Sequence, residues 1–125
     1  MVCDSNIVIY SVEPEDMACR AFMEDENAII ASVTRIEVLG YPGFQSLSPE
    51  RRLRLESMVA STAEAGLDEE IIQRSISLRQ DRKMSLGDSI IAATALEYGL
   101  PLVTRNTDDF RHIAGLTLIN PFAAR

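Results

Sequence analysis

Four acidic residues in this chain stand where acids can act together. Asp4 ends the first apolar run, Glu37 follows the second, Asp88 opens an apolar helix-like stretch, and Asp109 comes just after the run around Leu102 and Val103. Carboxylates gathered at short range repel one another and lose hydration, so such a group persists only where cations compensate it. Oxygen donors suit the hard ions Mg2+ and Mn2+. No sulfur or imidazole cluster is present to favour zinc, and His112, the one histidine, reads as a structural residue. One or two such ions can activate water, hold a scissile phosphate and stabilise the leaving oxygen. Three of the four also have a bland alternative: Asp4 as a helix N-cap, Glu37 as the partner of Thr34 in a Thr-x-x-Glu capping pattern, Asp109 as a solvated turn residue. The set in order, rather than any single member, points to a site.

The elements that must position these acids follow from the apolar runs. Met1 to Cys3, Ala28 to Val33, a weaker Ala63 to Leu67, Leu100 to Val103 and Leu116 to Ile119 alternate with helical patterns. That alternation predicts a three-layer α/β/α domain with a parallel sheet of four or five strands. In such open sheets, ligands bind outside the carboxyl ends of the strands where the strand order reverses, and all four acids belong to turns that can face that crevice. Pro14 and the Met17, Ala18, Ala21, Phe22 spacing predict a helix from about Pro14 to Met23. A helix capped through Thr34 should end near Gly40, with a loop over Tyr41 to Leu47. Ser48-Pro49-Glu50 starts a helix with Leu53, Leu55, Met58 and Val59 on its apolar side. Asp68 caps another, whose buried stripe is expected from Ile71, Ile72 and Ile76, while Leu78 falls off that stripe. The stretch from about Gly87 to Tyr98 is apolar nearly all round, which predicts a helix buried between other elements and ended by Gly99.

At 125 residues the chain fits one domain, 1–125, able to bury a real core. Its 46% hydrophobic and 25% charged residues are ordinary for a soluble protein, and no apolar run approaches the roughly 20 residues of a membrane span. The first residues carry no signal-peptide pattern, so a cytoplasmic protein is expected, with Cys3 and Cys19 as buried thiols rather than a disulfide or a metal site. The formal charge of −7 argues against coating nucleic acid through the global field. It does not exclude nucleic-acid chemistry, because a bound cation reverses the sign a phosphate meets locally.

Four segments together resemble the PIN-domain nucleases, specifically the VapC-type toxins: Asp4-Ser5-Asn6-Ile7-Val8-Ile9-Tyr10, Thr34-Arg35-Ile36-Glu37, Asp88-Ser89-Ile90-Ile91-Ala92-Ala93-Thr94-Ala95, and Val103-Thr104-Arg105-Asn106-Thr107-Asp108-Asp109-Phe110. The resemblance runs from Met1 to Pro121. It implies a PIN-like fold in which Asp4, Glu37, Asp88 and Asp109 are catalytic acids and ligands of Mg2+ or Mn2+. Ser5 stands where threonine is commoner and keeps the hydroxyl. Asn106 stands where some members carry an acid, and Asp108 competes with Asp109 for the fourth place. By the same resemblance Ser5, Asn6, Thr104 and Asn106 are polar neighbours that orient carboxylates or waters. The implied activity is metal-dependent cleavage of RNA by the toxin of a type II toxin–antitoxin pair, with a cognate antitoxin and a homodimer as partners.

Among the basic residues, Arg51, Arg52, Arg54, Arg79, Arg82, Lys83, Arg105 and Arg111 are candidates to hold RNA phosphates, Arg105 foremost, although a solvated charged face is the default for each. Other acidic α/β sites fit poorly. A phospho-receiver needs an acidic pair after its first strand, a dehalogenase-like phosphatase needs Asp-x-Asp where Asn6 stands, and no Gly-rich phosphate loop is present. The remaining alternative is a catalytically silent relative that binds RNA or an antitoxin.

Overall fold

A computed structural model describes residues 1–122. Among them the apolar runs form five short strands, β1 (Val2–Cys3), β2 (Ile29–Ala31), β3 (Ala63–Ala65), β4 (Leu102–Val103) and β5 (Leu118–Ile119). Six α-helices connect them: α1 (Ser5–Ser11), α2 (Met17–Glu24), α3 (Ser32–Gly40), α4 (Pro49–Ala60), α5 (Glu69–Asp81) and α6 (Leu86–Tyr98). Single 3-10 turns lie at Phe44–Ser46 and Thr107–Asp109. The sheet is wholly parallel, in the order β3-β2-β1-β4-β5. Strand β1 therefore lies at the centre, where the order reverses, with Val2 in register with Ile29 on one side and Leu102 on the other.

Because side chains alternate across a strand, even two-residue strands supply both faces of the sheet. Val2 and Leu102 enter the layer formed with Ile71, Ile91 and Phe110, under α5 and α6. Cys3 and Val103 enter the opposite layer with Ile7, Val8, Leu55 and Val59, under α1 and α4. The expected three-layer arrangement is thereby produced by an apolar pair at each central strand. Helix α6 is buried along Ser89 to Ala95, as its all-round apolar pattern requires. Gly99 ends it in the left-handed conformation at φ 64°, which glycine adopts without a Cβ penalty. Ser48 caps α4, with Pro49 in its first turn, and Asp68 caps α5, accepting the Ile71 N–H at 2.9 Å.

Several local expectations are corrected. The helix expected at Pro14 begins at Met17, and Pro14 lies in the turn before it. A separate helix, α1, precedes that turn. Its Ile7, Val8 and Ile9 are β-branched and only weakly helix-favouring, so a seven-residue helix depends on burial of Ile7 and Val8 rather than on propensity. Helix α3 begins at Ser32, so Thr34 is buried in its interior and Ala31 is its N-cap. The Thr34–Glu37 capping pair consequently does not form. In α5 the inward stripe is Ile71, Ser75 and Leu78, while Ile72 is half-buried and Ile76 is 45% exposed. Leu53 likewise points outward from α4, leaving Leu55 and Val59 to pack.

Cys3 and Cys19 are buried free thiols. Burial pushes Cys3 up to about 12 and Cys19 up to about 11, so neither is a reactive thiolate at neutral pH. Among the described residues no helix is long and apolar enough to cross a membrane.

Candidate active site

Asp4 leaves the carboxyl end of β1 at the point where the strand order reverses. Its Oδ1 accepts the Ile7 N–H at 3.1 Å, so the N-cap reading of Asp4 is correct and coexists with its place in the cleft. The buried hydroxyl of Thr104, at the end of β4, favours the charged form of the same carboxylate. Thr104 Oγ1 also accepts the Asn106 N–H at 3.0 Å, which turns the chain so that Asn106 faces the cleft. Burial drives the Asp4 pKa upward, the Thr104 hydroxyl and the Ile7 N–H pull it down, and the charges of Asp88 and Glu37 push it up again.

Glu37 projects from α3, which packs against both α1 and α6. Ser5, the first residue of α1, donates its hydroxyl to Glu37 Oε1 at 2.6 Å. The other side of the carboxylate lies on the first turn of α6, where Gly87 presents no side chain. A Cβ at that position would meet Glu37 Oε2 at 2.5 Å.

Asp88 follows directly, with its N–H donating to the N-cap Ser85 Oγ at 3.1 Å. Its pKa is raised, first by burial and then by the charge of Asp109, with Glu37 adding to the effect and a hydrogen bond with Ser85 opposing it. Helix geometry places an anion favourably there, since the first turn of α6 offers unpaired N–H groups and the positive end of the dipole.

Asp4, Ser5, Asn6, Glu37, Asp88 and Asn106 line one hollow of about 330 Å³. Asp109 does not reach it. It lines an adjoining hollow of about 190 Å³ with Ser85, His112 and Asp88, which stands in the wall of both. Three acids thus share a cavity and the fourth approaches from its neighbour. Asp108 lines the same smaller hollow, but it is exposed and paired with Arg111 at 2.9 Å, whereas Asp109 acts on Asp88 through its charge.

Among the described residues no three His, Cys, Asp or Glu side chains stand close enough to hold a metal ion by themselves. The carboxylates of Asp4, Glu37 and Asp88 in one hollow offer the oxygen donors that suit a hard cation such as magnesium, which keeps several waters and takes only one or two carboxylates from its host. The raised pKa values of Asp4 and Asp88 fit as well, since a cation would relieve the repulsion that contributes to them.

The structure adds residues to the site that the motifs alone do not mark. Arg82 and Lys83 line the smaller hollow, bringing positive charge beside Asp88 and Asp109. His112 lines it too, and neither ring nitrogen, both buried, has a hydrogen-bond partner among the described residues. As a lone histidine outside any motif, it gave no sequence signal beyond a structural one. Tyr41 closes part of the larger hollow from the loop after α3. By contrast Arg51 is tied to Glu13 and lies away from the acids, and Arg54 donates to the Val12 carbonyl at 3.3 Å. Arg105 stands beside Asn106, solvent-exposed.

Fold and site together define a parallel α/β/α domain with a carboxylate cleft at its switch point. The PIN domain model matches residues 1–116, and the chain belongs to the PIN domain family. It is 31% identical over 123 residues, 90% of this chain and 91% of the relative, to the tRNA(fMet)-specific endonuclease VapC of Shigella flexneri. A toxin–antitoxin complex from Klebsiella pneumoniae contains a chain of similar fold, with TM-score 0.78, 29% identity and 98% of each chain covered. DNA-bound VapBC from Salmonella typhimurium is similar at TM-score 0.76 and 25% identity over 96% of each chain.

Proposed function

We propose that this protein is a metal-dependent endoribonuclease and the toxin of a type II toxin–antitoxin pair, acting in the cytoplasm. The observation that carries the reading is the meeting of Asp4, Glu37 and Asp88, from three different elements, in one hollow beyond the central strand. The likeness to a VapC named as a tRNA endonuclease supports RNA as the substrate class.

In this reading Asp4, Glu37, Asp88 and Asp109 would hold Mg2+ or Mn2+. The chemistry such a cation supplies when bound is activation of water and neutralisation of the phosphate's charge. Asp4 is held by the α1 N-terminus through the Ile7 N–H. Glu37, steadied by Ser5, orients the attacking water. Asn6 and Asn106 offer amides that orient carboxylates and waters within the same hollow. Arg105 contacts RNA phosphate, with Arg82 and Lys83 as further cations beside the cleft.

The partner proteins proposed are a cognate antitoxin and a second copy of the chain. The toxin–antitoxin complexes of similar fold support the first. Leu67, Ile76 and Leu86, about half exposed along a groove of about 740 Å³ between α5 and α6, leave apolar surface of the kind protein partners cover.

The test is cleavage of a mixed RNA pool by wild type and Asp4→Asn, each with magnesium, with manganese and with a chelator. Metal-dependent cutting that disappears in the variant is the expected result. Equal traces of cutting in both proteins would leave a silent binding module as the better account.

A further inference from the structure

Arg105 is held in an unusual way for a charged residue in a chain with a formal charge of −7. Several other arginines are neutralised: Arg35 by Glu64, Arg51 by Glu13, Arg74 by Glu97 and Arg111 by Asp108. Arg105 has no carboxylate partner among the described residues. Its guanidinium instead lies 4.6 Å from the ring centroid of Phe122 and 5.4 Å from that of Tyr10. The two rings meet edge to face at 5.5 Å, and the guanidinium donates a hydrogen bond to the Tyr10 hydroxyl at 3.1 Å. Phe122 is itself fixed by a local turn in which its N–H donates to Asn120 Oδ1 at 2.9 Å, just after β5.

Aromatic faces attract a guanidinium without cancelling its charge, and they restrict a side chain that otherwise samples many rotamers. A carboxylate would hold Arg105 equally well but would consume the charge and its N–H donors. The residue next along the chain, Asn106, lines the hollow that contains Asp4 and Asp88. Arg105 is therefore a cation held against aromatic faces, without a carboxylate partner among the described residues and one residue before the wall of the acidic cleft in the chain, a placement suited to a phosphate next to the reacting one.

We infer that Tyr10 and Phe122 form an aromatic clasp that positions Arg105 to receive an RNA phosphate flanking the acidic cleft. On this account the segment after β5 is part of the substrate-binding machinery and Phe122 is a positioning residue. The inference rests on the proposed ribonuclease function and extends it to a residue outside all four motif segments.

The test reads KM and kcat for the mixed RNA pool across roughly 50 to 200 mM salt. Removing one exposed aromatic partner with Phe122→Ala should raise KM about two- to fivefold, with kcat changed less. Phe122→Trp should restore KM, since indole is the best cation–π face. Arg105→Ala should raise KM further and reduce the slope of log KM against log salt by about 0.7, the loss of one single-strand phosphate contact. Arg105→Lys should restore the charge without the planar stack and recover only part of the affinity. The decisive comparison adds Phe122→Ala to Arg105→Ala, where it should have no further effect. Additive losses in that double variant, or an unchanged KM in Phe122→Ala, would overturn the clasp. If Asp4→Asn cuts RNA as well as wild type does, the ribonuclease reading fails separately. The same four-protein comparison, read as the Kd for a fluorescein-labelled RNA 20-mer, then still decides whether Phe122 acts through Arg105.

Discussion

Glu37 and Gly87 touch across the cleft so closely that a Cβ on the glycine would lie 2.5 Å from Oε2 and 3.1 Å from Cδ of the glutamate. Two elements that are distant in the chain, α3 and α6, are thereby fitted together at the level of one absent methyl group. The carboxylate has Ser5 on one side and the α6 backbone on the other. Its position is a property of three helices rather than of its own segment.

Gly87→Ala separates the folding role of this position from its role at the site. Alanine is favoured over glycine in a helix by about 0.8 to 1.0 kcal/mol, and the obstructing atoms are the far end of a flexible side chain. Thermal unfolding should therefore be unchanged or shifted slightly upward. Cleavage should fall about ten- to a hundredfold, because displacement of a catalytic group by an ångström is costly. Wild-type activity in this variant would show that Glu37 need not occupy its observed place.

Ser5 is the second support of Glu37. Ser5→Ala removes the 2.6 Å hydrogen bond and should reduce the cleavage rate about tenfold, in keeping with the roughly 1.5 to 3 kcal/mol of a hydrogen bond to a charged group, reduced by partial exposure. Ser5→Thr keeps the hydroxyl and should recover most of the rate. A comparison of kcat for the three proteins checks this, and equal losses in both variants would contradict a role for the hydroxyl.

Asp4 and Asp88 both have pKa values raised from 3.8, with burial the main cause. A carboxyl whose pKa is higher in the folded than in the unfolded state favours folding while protonated. That contribution is complete below about pH 3.8 and is lost as pH rises through the folded-state values. In chelator, Asp88→Asn should accordingly melt above wild type near pH 7, and the gap should close as pH is lowered towards 4. Magnesium or manganese should raise the wild-type melting temperature through linkage and do so much less in the variant. A gap that widens on acidification would reverse the sign assigned to this carboxyl.

The two neighbouring acids after β4 should behave unequally. Asp109 acts on Asp88, so Asp109→Asn should lower cleavage by tenfold or more. Asp108 is 84% exposed and paired with Arg111, an arrangement worth at most about 1 kcal/mol, so Asp108→Asn should cost less than about threefold. Rates measured side by side at saturating metal decide between them. The opposite ranking would move the fourth acid to Asp108.

Much of this architecture was legible because it depends on local chemistry. Apolar strands separated by helical patterns implied the parallel sheet, Ser48-Pro49 and Asp68 marked helix starts, Gly99 marked a stop, and an all-round apolar pattern implied the buried α6. Helix α1 is legible only in its cap, Asp4, because Ile7-Val8-Ile9 has the β-branched composition of a strand and becomes helical only by packing. The stripe of α5 is ambiguous in the sequence for a related reason: Ile71, Ile72 and Ile76 permit two neighbouring faces, and only contact with α6 selects the one containing Ile71, Ser75 and Leu78.

The sequence by itself determined the order of elements and which acids stand at strand ends or helix starts, since both depend on residue type and near neighbours. Tertiary structure alone decided that Asp4, Glu37 and Asp88 share one hollow while Asp109 enters from the next, and that Phe122 meets Tyr10 and Arg105. Those relationships depend on strand order and helix packing. Residues far apart in the chain are brought to within a few ångströms by the burial of apolar side chains that take no part in the site themselves.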